Sequence, residues 1–264
     1  MAARWPGGLV RRVPVSGGAL AVEVLGPEGA PALVMLHGWT LDRRMWRPQL
    51  ELAGRLRLVG VDRRGFGQSD AAADLAAEPD DVLRVADALG LERFFLLGMS
   101  QGGKVALHVA ADAGARVAGL VLQGTALDGV DAADEAVPLA AMAAAARLGA
   151  LGAMRTLWAG HALTRLAGEA GRDEVAAMLA DYDGRDLLSG PGQLTAGAEM
   201  MARIEAPVLA AVGDRDTARR QANVAALAAR GAQALVMTGA GHLANLDKPR
   251  EFNGILAAFC RESR

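Results

Sequence analysis

Residues 94–106 read Phe94-Phe95-Leu96-Leu97-Gly98-Met99-Ser100-Gln101-Gly102-Gly103-Lys104-Val105-Ala106, and no other stretch constrains the fold as tightly. An apolar run passes through G-x-S-x-G into a helical pattern, which predicts a buried strand, a sharp turn and a helix. Gly98 and Gly102 leave room where a Cβ would strike neighbouring backbone. Ser100 is then expected above the carboxyl end of the strand, with the N-terminus of the next helix beneath it. Free N–H groups and a positive dipole at that helix end suit a developing oxyanion. The pentapeptide alone is weak evidence in a chain with 33 glycines, so its context has to carry the reading.

That context is a series of short continuous apolar runs. They comprise Ala32 to Leu36, Arg57 to Val61, Phe94 to Leu97, Gly119 to Leu122, Pro207 to Val212 and Ala234 to Met237. Unbroken runs, rather than alternation, are what parallel strands covered on both faces require. Helical patterns follow at Asp80 to Leu89, Gly103 to Ala113, Ala218 to Ala229 and Pro249 to Cys260. Two further runs around Ser16-Gly17-Gly18 predict an N-terminal β-hairpin over Leu9 to Leu25. The expected fold class is α/β, a doubly wound, mostly parallel sheet. The alternation breaks between residues 125 and 201, where alanine and leucine recur at helical spacing. This predicts one domain, core 1–124 and 202–264, with 125–201 inserted as a helical cap over the strand ends.

At 264 residues the chain can bury a sizeable core. Although 52% of residues are hydrophobic, no apolar run reaches the ~18 needed to span a bilayer. The first residues lack a secretory h-region. The single cysteine, Cys260, rules out an internal disulfide and reads as a packing residue. These features predict a soluble, cytoplasmic chain. A net charge of −2 without a basic stripe argues against a nucleic-acid surface. No membrane partner is expected, no metal or cofactor is called for, and a monomer or homodimer is expected.

A serine hydroxyl needs a general base, and that base needs an orienting carboxylate. Of four histidines, only His242, in Gly239-Ala240-Gly241-His242-Leu243, falls in a loop after the last predicted strand. His37 reads as a strand-ending residue that ties loops together. His108 falls within a helix, and His161 in the cap. The carboxylate should follow Val212, where Asp216 is preferred and Asp214 is the rival. Oxyanion N–H donors are expected from Gln101 and from Trp39, in the loop after the first parallel run. The stretch Asp62-Arg63-Arg64-Gly65-Phe66-Gly67-Gln68-Ser69-Asp70 reads as a charged, solvated loop in which Asp62 and Arg63 serve as structural ion-pair partners. In the cap, Met142, Trp158 and His161 are the candidate pocket residues, with helical spacing that equally suits the cap's own core.

Taken together, His37-Gly38-Trp39, Asp62 to Ser69, Gly98 to Gly103, Gly213 to Asp216 and Gly239 to His242 make this chain resemble α/β-hydrolase fold enzymes over essentially its whole length. The resemblance implies Ser100 as nucleophile, Asp216 as triad acid, His242 as base, and Trp39 with Gln101 at the oxyanion hole. The stretches Leu41 to Gln49 and His242 to Pro249 are similar to carboxylesterases and 3-oxoadipate enol-lactonases. The Asp62 to Ser69 loop is similar to cofactor-free haloperoxidases and perhydrolases. The activity implied is hydrolysis of a small carboxylic ester or lactone. The alternatives are a carbon–carbon bond hydrolase or lyase on the same fold, a perhydrolase-like enzyme, or a binding protein on the same scaffold. An intact triad argues against the last.

Overall fold

The computed structural model describes residues 5–133, 135–190 and 192–263. Its first strands, β1 (Leu9–Val15) and β2 (Gly18–Leu25), form the expected hairpin, with Val15 paired to Gly18 across Ser16-Gly17. Strands β3 (Ala32–Leu36) and β4 (Arg57–Val61) flank a 3-10 segment over 43–54. Helix α1 (Glu78–Ala88), strand β5 (Phe94–Met99), helix α2 (Gln101–Ala113) and strand β6 (Val117–Gln123) follow. Four helices come next: α3 (Leu139–Arg147), α4 (Leu151–Ala159), α5 (Arg172–Asp181) and α6 (Arg185–Leu188). The chain closes with β7 (Val208–Gly213), α7 (Ala218–Ala228), β8 (Gln233–Met237), α8 (Ala244–Asp247) and α9 (Pro249–Glu262).

The strands form one eight-stranded sheet in the order β1-β2-β4-β3-β5-β6-β7-β8. Only β2 runs against the rest, and every pair from β4–β3 to β7–β8 is parallel. Alternate side chains of each inner strand enter different cores. Leu33, Met35, Phe95 and Leu97 pack with α9 and the inserted helices, whereas Val34, Leu36, Leu96 and Leu122 pack with α1, α2 and α7. This two-sided burial explains why the inner strands read as continuous apolar runs. Strand β8 departs from that expectation. It forms the sheet edge, pairs only with β7, and leaves Val236 58% exposed.

The segment between β6 and β7 contains no strand among its described residues. Helices α3 to α6 pack into the same core as α9, but Ala196, Met200 and Met201 belong to the opposite core, beside α2 and α7. The return from the insert therefore passes onto the body of the domain before residue 201. His108 lies 2.9 Å from the Thr195 carbonyl, and Asp128, at the start of the insert, bonds both Lys104 and Ala196 N–H, which together fasten this return path to α2. No helix among the described residues is long and apolar enough to cross a membrane.

Candidate active site

Ser100 sits between β5 and α2 with φ 52° and ψ −112°, a left-handed conformation that is costly for a residue with a side chain. The surroundings dictate this geometry. A Cβ at Gly98 would lie 2.5 Å from the Gly102 carbonyl and 2.7 Å from the Ala106 methyl, so strand and helix meet too closely for any larger residue. Ser100 N–H donates to the Gln123 carbonyl at 2.9 Å, and its own carbonyl accepts from Gly103 and Ala126. The hydroxyl does not cap the helix it precedes, leaving it available to the space above.

His242 and Asp216 meet as the sequence implies. His242 Nδ1–H donates to Asp216 Oδ2 at 2.9 Å, and both side chains are buried. The other carboxylate oxygen of Asp216 accepts from Thr217 N–H at 2.7 Å. Asp214 instead accepts from Gly239 N–H at 2.7 Å and stays exposed, joining two turns and standing apart from the imidazole. The histidine loop is braced from both sides. Asp247 accepts from Gly241 N–H and Ala167 N–H, each at 2.7 Å, and Arg215 N–H donates to the Ala240 carbonyl. Gly124, with φ 52°, packs against the pair, where a Cβ would lie 2.8 Å from His242 Nδ1.

Ser100, Gln101, Trp39 and His242 face one cavity of about 530 Å³. Among the described residues, the N–H groups of Trp39 and Gln101 have no acceptor, and no hydrogen bond joins Ser100 to the imidazole. The wall is mainly apolar, with Leu41, Phe66, Val137 and Leu163 contributing. Of the three cap residues expected at this wall, Trp158 reaches it. Met142 and His161 do not. Met142 is fully buried in the core beneath the insert. His161 stacks on Trp158 at 4.5 Å, and its ring nitrogens meet the Glu135 carbonyl and Leu163 N–H.

Asp186, which no sequence pattern singles out, lies in the wall and holds the loop after β3. Trp39 Nε1–H donates to its Oδ2 at 2.7 Å and Tyr182 O–H to its Oδ1 at 2.8 Å. Burial pushes its carboxyl above the ordinary range. A second indole bond runs the other way, from Trp158 Nε1–H to Thr40 Oγ1 at 2.7 Å, at a residue held at φ 65°. Arg220 also reaches the cavity from α7 and grips Glu135 through two bonds of 2.6 Å. Against the cost of burial, that guanidinium holds the Glu135 carboxyl below its usual range.

The loop over 62–70 corrects the solvated reading. Asp62, Arg63, Arg64, Phe66 and Ser69 are all buried. The charges are in structural ion pairs, as expected for Asp62 and Arg63: Arg63 with Glu78 at 2.6 Å, Arg64 with Asp81 at 2.6 Å, and Asp62 with Arg43. Arg63 also donates to Gln101 Oε1 at 2.8 Å, so this buried framework reaches the residue beside Ser100.

His37 has the tying role expected of it. Its Nδ1–H donates to the Gly38 carbonyl at 2.8 Å, and its Nε2 accepts from Arg63 N–H at 2.9 Å. Burial, helped by the nearby Arg63 charge, lowers its pKa to about 3 from an ordinary 6.5. The unfolded chain therefore takes up a proton that the folded one refuses. The stability that a neutral His37 brings is complete above pH 6.5 and lost as pH falls toward 3, at up to about 1.4 kcal/mol per unit. Denaturant titrations at pH 7.5, 6 and 5 should show a steeper decline for the parent than for His37→Asn. Parallel declines would exclude this cause.

Comparison with known proteins places the geometry in context. Residues 31–149 match the alpha/beta hydrolase fold family. Over 129 residues the chain is 36% identical to 3-oxoadipate enol-lactonase 1 of Acinetobacter baylyi, covering 46% of this chain and 48% of that protein. It is 40% identical over 97 residues to the pimeloyl-[acyl-carrier protein] methyl ester esterase of Photorhabdus laumondii, covering 36% of each. The aligned part thus spans about half the length of the first of these relatives and less of the second. Among solved structures, a hydrolase from Pseudomonas aeruginosa PA01 superposes with a TM-score of 0.79 at 27% identity, over 96% of this chain and 99% of that one. The enol-lactonase from Burkholderia xenovorans LB400 superposes at 0.80 with 24% identity, over 94% of this chain and 99% of that one. With its single antiparallel strand, its serine turn after β5 and its histidine loop after β8, this chain is built on the α/β-hydrolase fold.

Proposed function

We propose that the protein is a cofactor-independent serine hydrolase of a small carboxylic ester or lactone, working through an acyl-enzyme. The observation that carries this reading is the strained Ser100, its hydroxyl free, sharing a cavity with a buried His242–Asp216 pair.

In the reaction as proposed, Ser100 Oγ attacks the substrate carbonyl while His242 Nε2 accepts its proton. Asp216 fixes the imidazole through Nδ1 and stabilises the imidazolium that forms. The negative oxygen of the tetrahedral intermediate binds the N–H groups of Trp39 and Gln101, with the N-terminal dipole of α2 behind it. His242 then protonates the leaving alkoxide, which in a lactone remains tethered to the acyl group. Water, deprotonated by the same imidazole, attacks the acyl carbon and releases the acid and free Ser100. The Ser100–His242 contact forms on substrate binding, as catalytic hydrogen bonds often do. Support also comes from the two relatives whose names specify an enol-lactonase and a methyl ester esterase.

Release of p-nitrophenol from acetate, butyrate and octanoate esters tests the reading, with a fluorophosphonate probe in parallel. The expected result is turnover that stops when one equivalent of probe is bound at Ser100. Absence of both turnover and labelling in folded protein would overturn it.

A further inference from the structure

The charges around the cavity point to a substrate class. Among the described residues two permanently charged cations lie in its wall, and each is already matched by a carboxylate of the chain. Lys104 Nζ bonds Asp128 at 2.7 Å, and Arg220 bonds Glu135 twice while its remaining Nη1 points at the Gly124 carbonyl. Glu78 is likewise matched by Arg63. Asp186 differs. Its partners, Trp39 and Tyr182, are neutral donors, and among the described residues no cation pairs with it. It is only 2% exposed, on the insert's side of the wall, and its indole donor is the side chain of a proposed oxyanion residue. A carboxylate on the substrate would enter a largely apolar space with no free cation among the described residues to receive it and an unmatched buried acid in the same wall. Burying an ion without a partner is strongly unfavourable, and like charges at close range add to that.

We propose that this cavity selects uncharged acyl groups, so that the substrate is a neutral ester or lactone, and that Asp186 is the specificity-determining residue that turns a carboxylate away. The proposal rests on the ester-hydrolase reading above. It also separates this chain from any lactonase whose substrate bears a carboxylate: an enzyme of that kind needs a guanidinium or ammonium left free in the pocket. Arg220 and Lys104 stand where such a group would be wanted, but both are committed elsewhere.

Dimethyl adipate and monomethyl adipate share a carbon chain and differ by one charge, so a pH-stat comparison isolates the effect. The expected result is hydrolysis of dimethyl adipate that stops after one methyl group. On kcat/KM the half-ester should be at least about 100-fold poorer, equivalent to about 2.7 kcal/mol. Asp186→Asn keeps an acceptor for Trp39 Nε1 while removing the charge. It should narrow the ratio at least tenfold by improving use of the half-ester, and a purely structural role for Asp186 would instead slow both substrates together. Cleavage of both esters at similar rates by the parent would overturn the proposal while leaving the hydrolase reading intact. An unchanged ratio in Asp186→Asn would overturn the role of that residue. No turnover of either ester, together with failure of both the p-nitrophenyl panel and fluorophosphonate labelling, would sink the hydrolase reading itself and the proposal with it.

Discussion

Ser100→Ala is expected to lower kcat on every accepted ester by about 10⁴- to 10⁶-fold with little change in stability. In the proposed mechanism the size of the loss follows from the way the triad works as a unit. Without Oγ, the His242–Asp216 pair has no proton to accept, and the N–H groups of Trp39 and Gln101 can only polarise a carbonyl that nothing attacks. What remains is the catalysis of binding and oxyanion contacts alone. The fold should tolerate the change because alanine and serine meet the same strain at φ 52°, and the serine hydroxyl makes no bond that the fold needs. Steady-state assay together with a melting curve is the decisive pair of measurements. Residual kcat within tenfold of the parent, in protein free of contaminating esterase, would remove Ser100 from the mechanism. Asp216→Asn should cost about 10⁴-fold, because an amide favours the wrong imidazole tautomer.

The largest effect on stability is expected at Arg43. Its guanidinium bonds Glu23 at 2.8 Å, Gln68 Oε1 at 2.9 Å and Asp62, and all three charged side chains are nearly inaccessible. Arg43→Met leaves two buried carboxylates without their counter-charge, which costs about 3–5 kcal/mol. For a domain of this size the melting temperature should fall by roughly 10 °C. The pH dependence gives a sharper check. Burial, opposed by Arg43, already pushes the Asp62 carboxyl up to about 6, well above its unfolded value. A carboxyl raised on folding contributes stability that is full below its unfolded pKa and lost as pH rises through the folded one. Removing Arg43 takes away a force holding that value down. The deficit of Arg43→Met should therefore be small near pH 4 and grow through pH 6 and above. Thermal denaturation across that range measures it, and a deficit independent of pH would mean that lost packing, rather than unpaired charge, is responsible.

How much of this was legible in the sequence varies with the kind of interaction. The sheet could be read because parallel strands buried on both faces must be apolar throughout, as Ala32 to Leu36 and Arg57 to Val61 are. Strand β8 looked the same in sequence, but an edge position depends on strand order, which no local pattern records. The nucleophile turn and histidine loop stood out because close backbone approach demands glycine at fixed offsets. The charged loop after β4 was misread because a run such as Asp62-Arg63-Arg64 is ordinarily solvated, and its partners Arg43, Glu78 and Asp81 lie 15 to 19 residues away. The cavity wall was the hardest to foresee. In an alanine-rich insert, helical spacing shows that Met142 and Trp158 share an apolar setting, without showing which of them meets the cavity. Asp186 carried no signal at all, since a lone aspartate in a short helix resembles any surface residue.

The two indole bonds between the insert and the loop after β3 bear on how such a fold can be remodelled. One indole belongs to each side and one acceptor belongs to each side, so neither half is complete alone. Exchanging the insert for that of another hydrolase would strip Trp39 Nε1 of its acceptor and Thr40 Oγ1 of its donor while a new pocket was being installed. Buried polar groups left unmatched in this way cost free energy of their own. The insert is therefore not a detachable module: a graft has to carry residues 39, 40, 158 and 186 as a set if no buried polar group is to lose its partner.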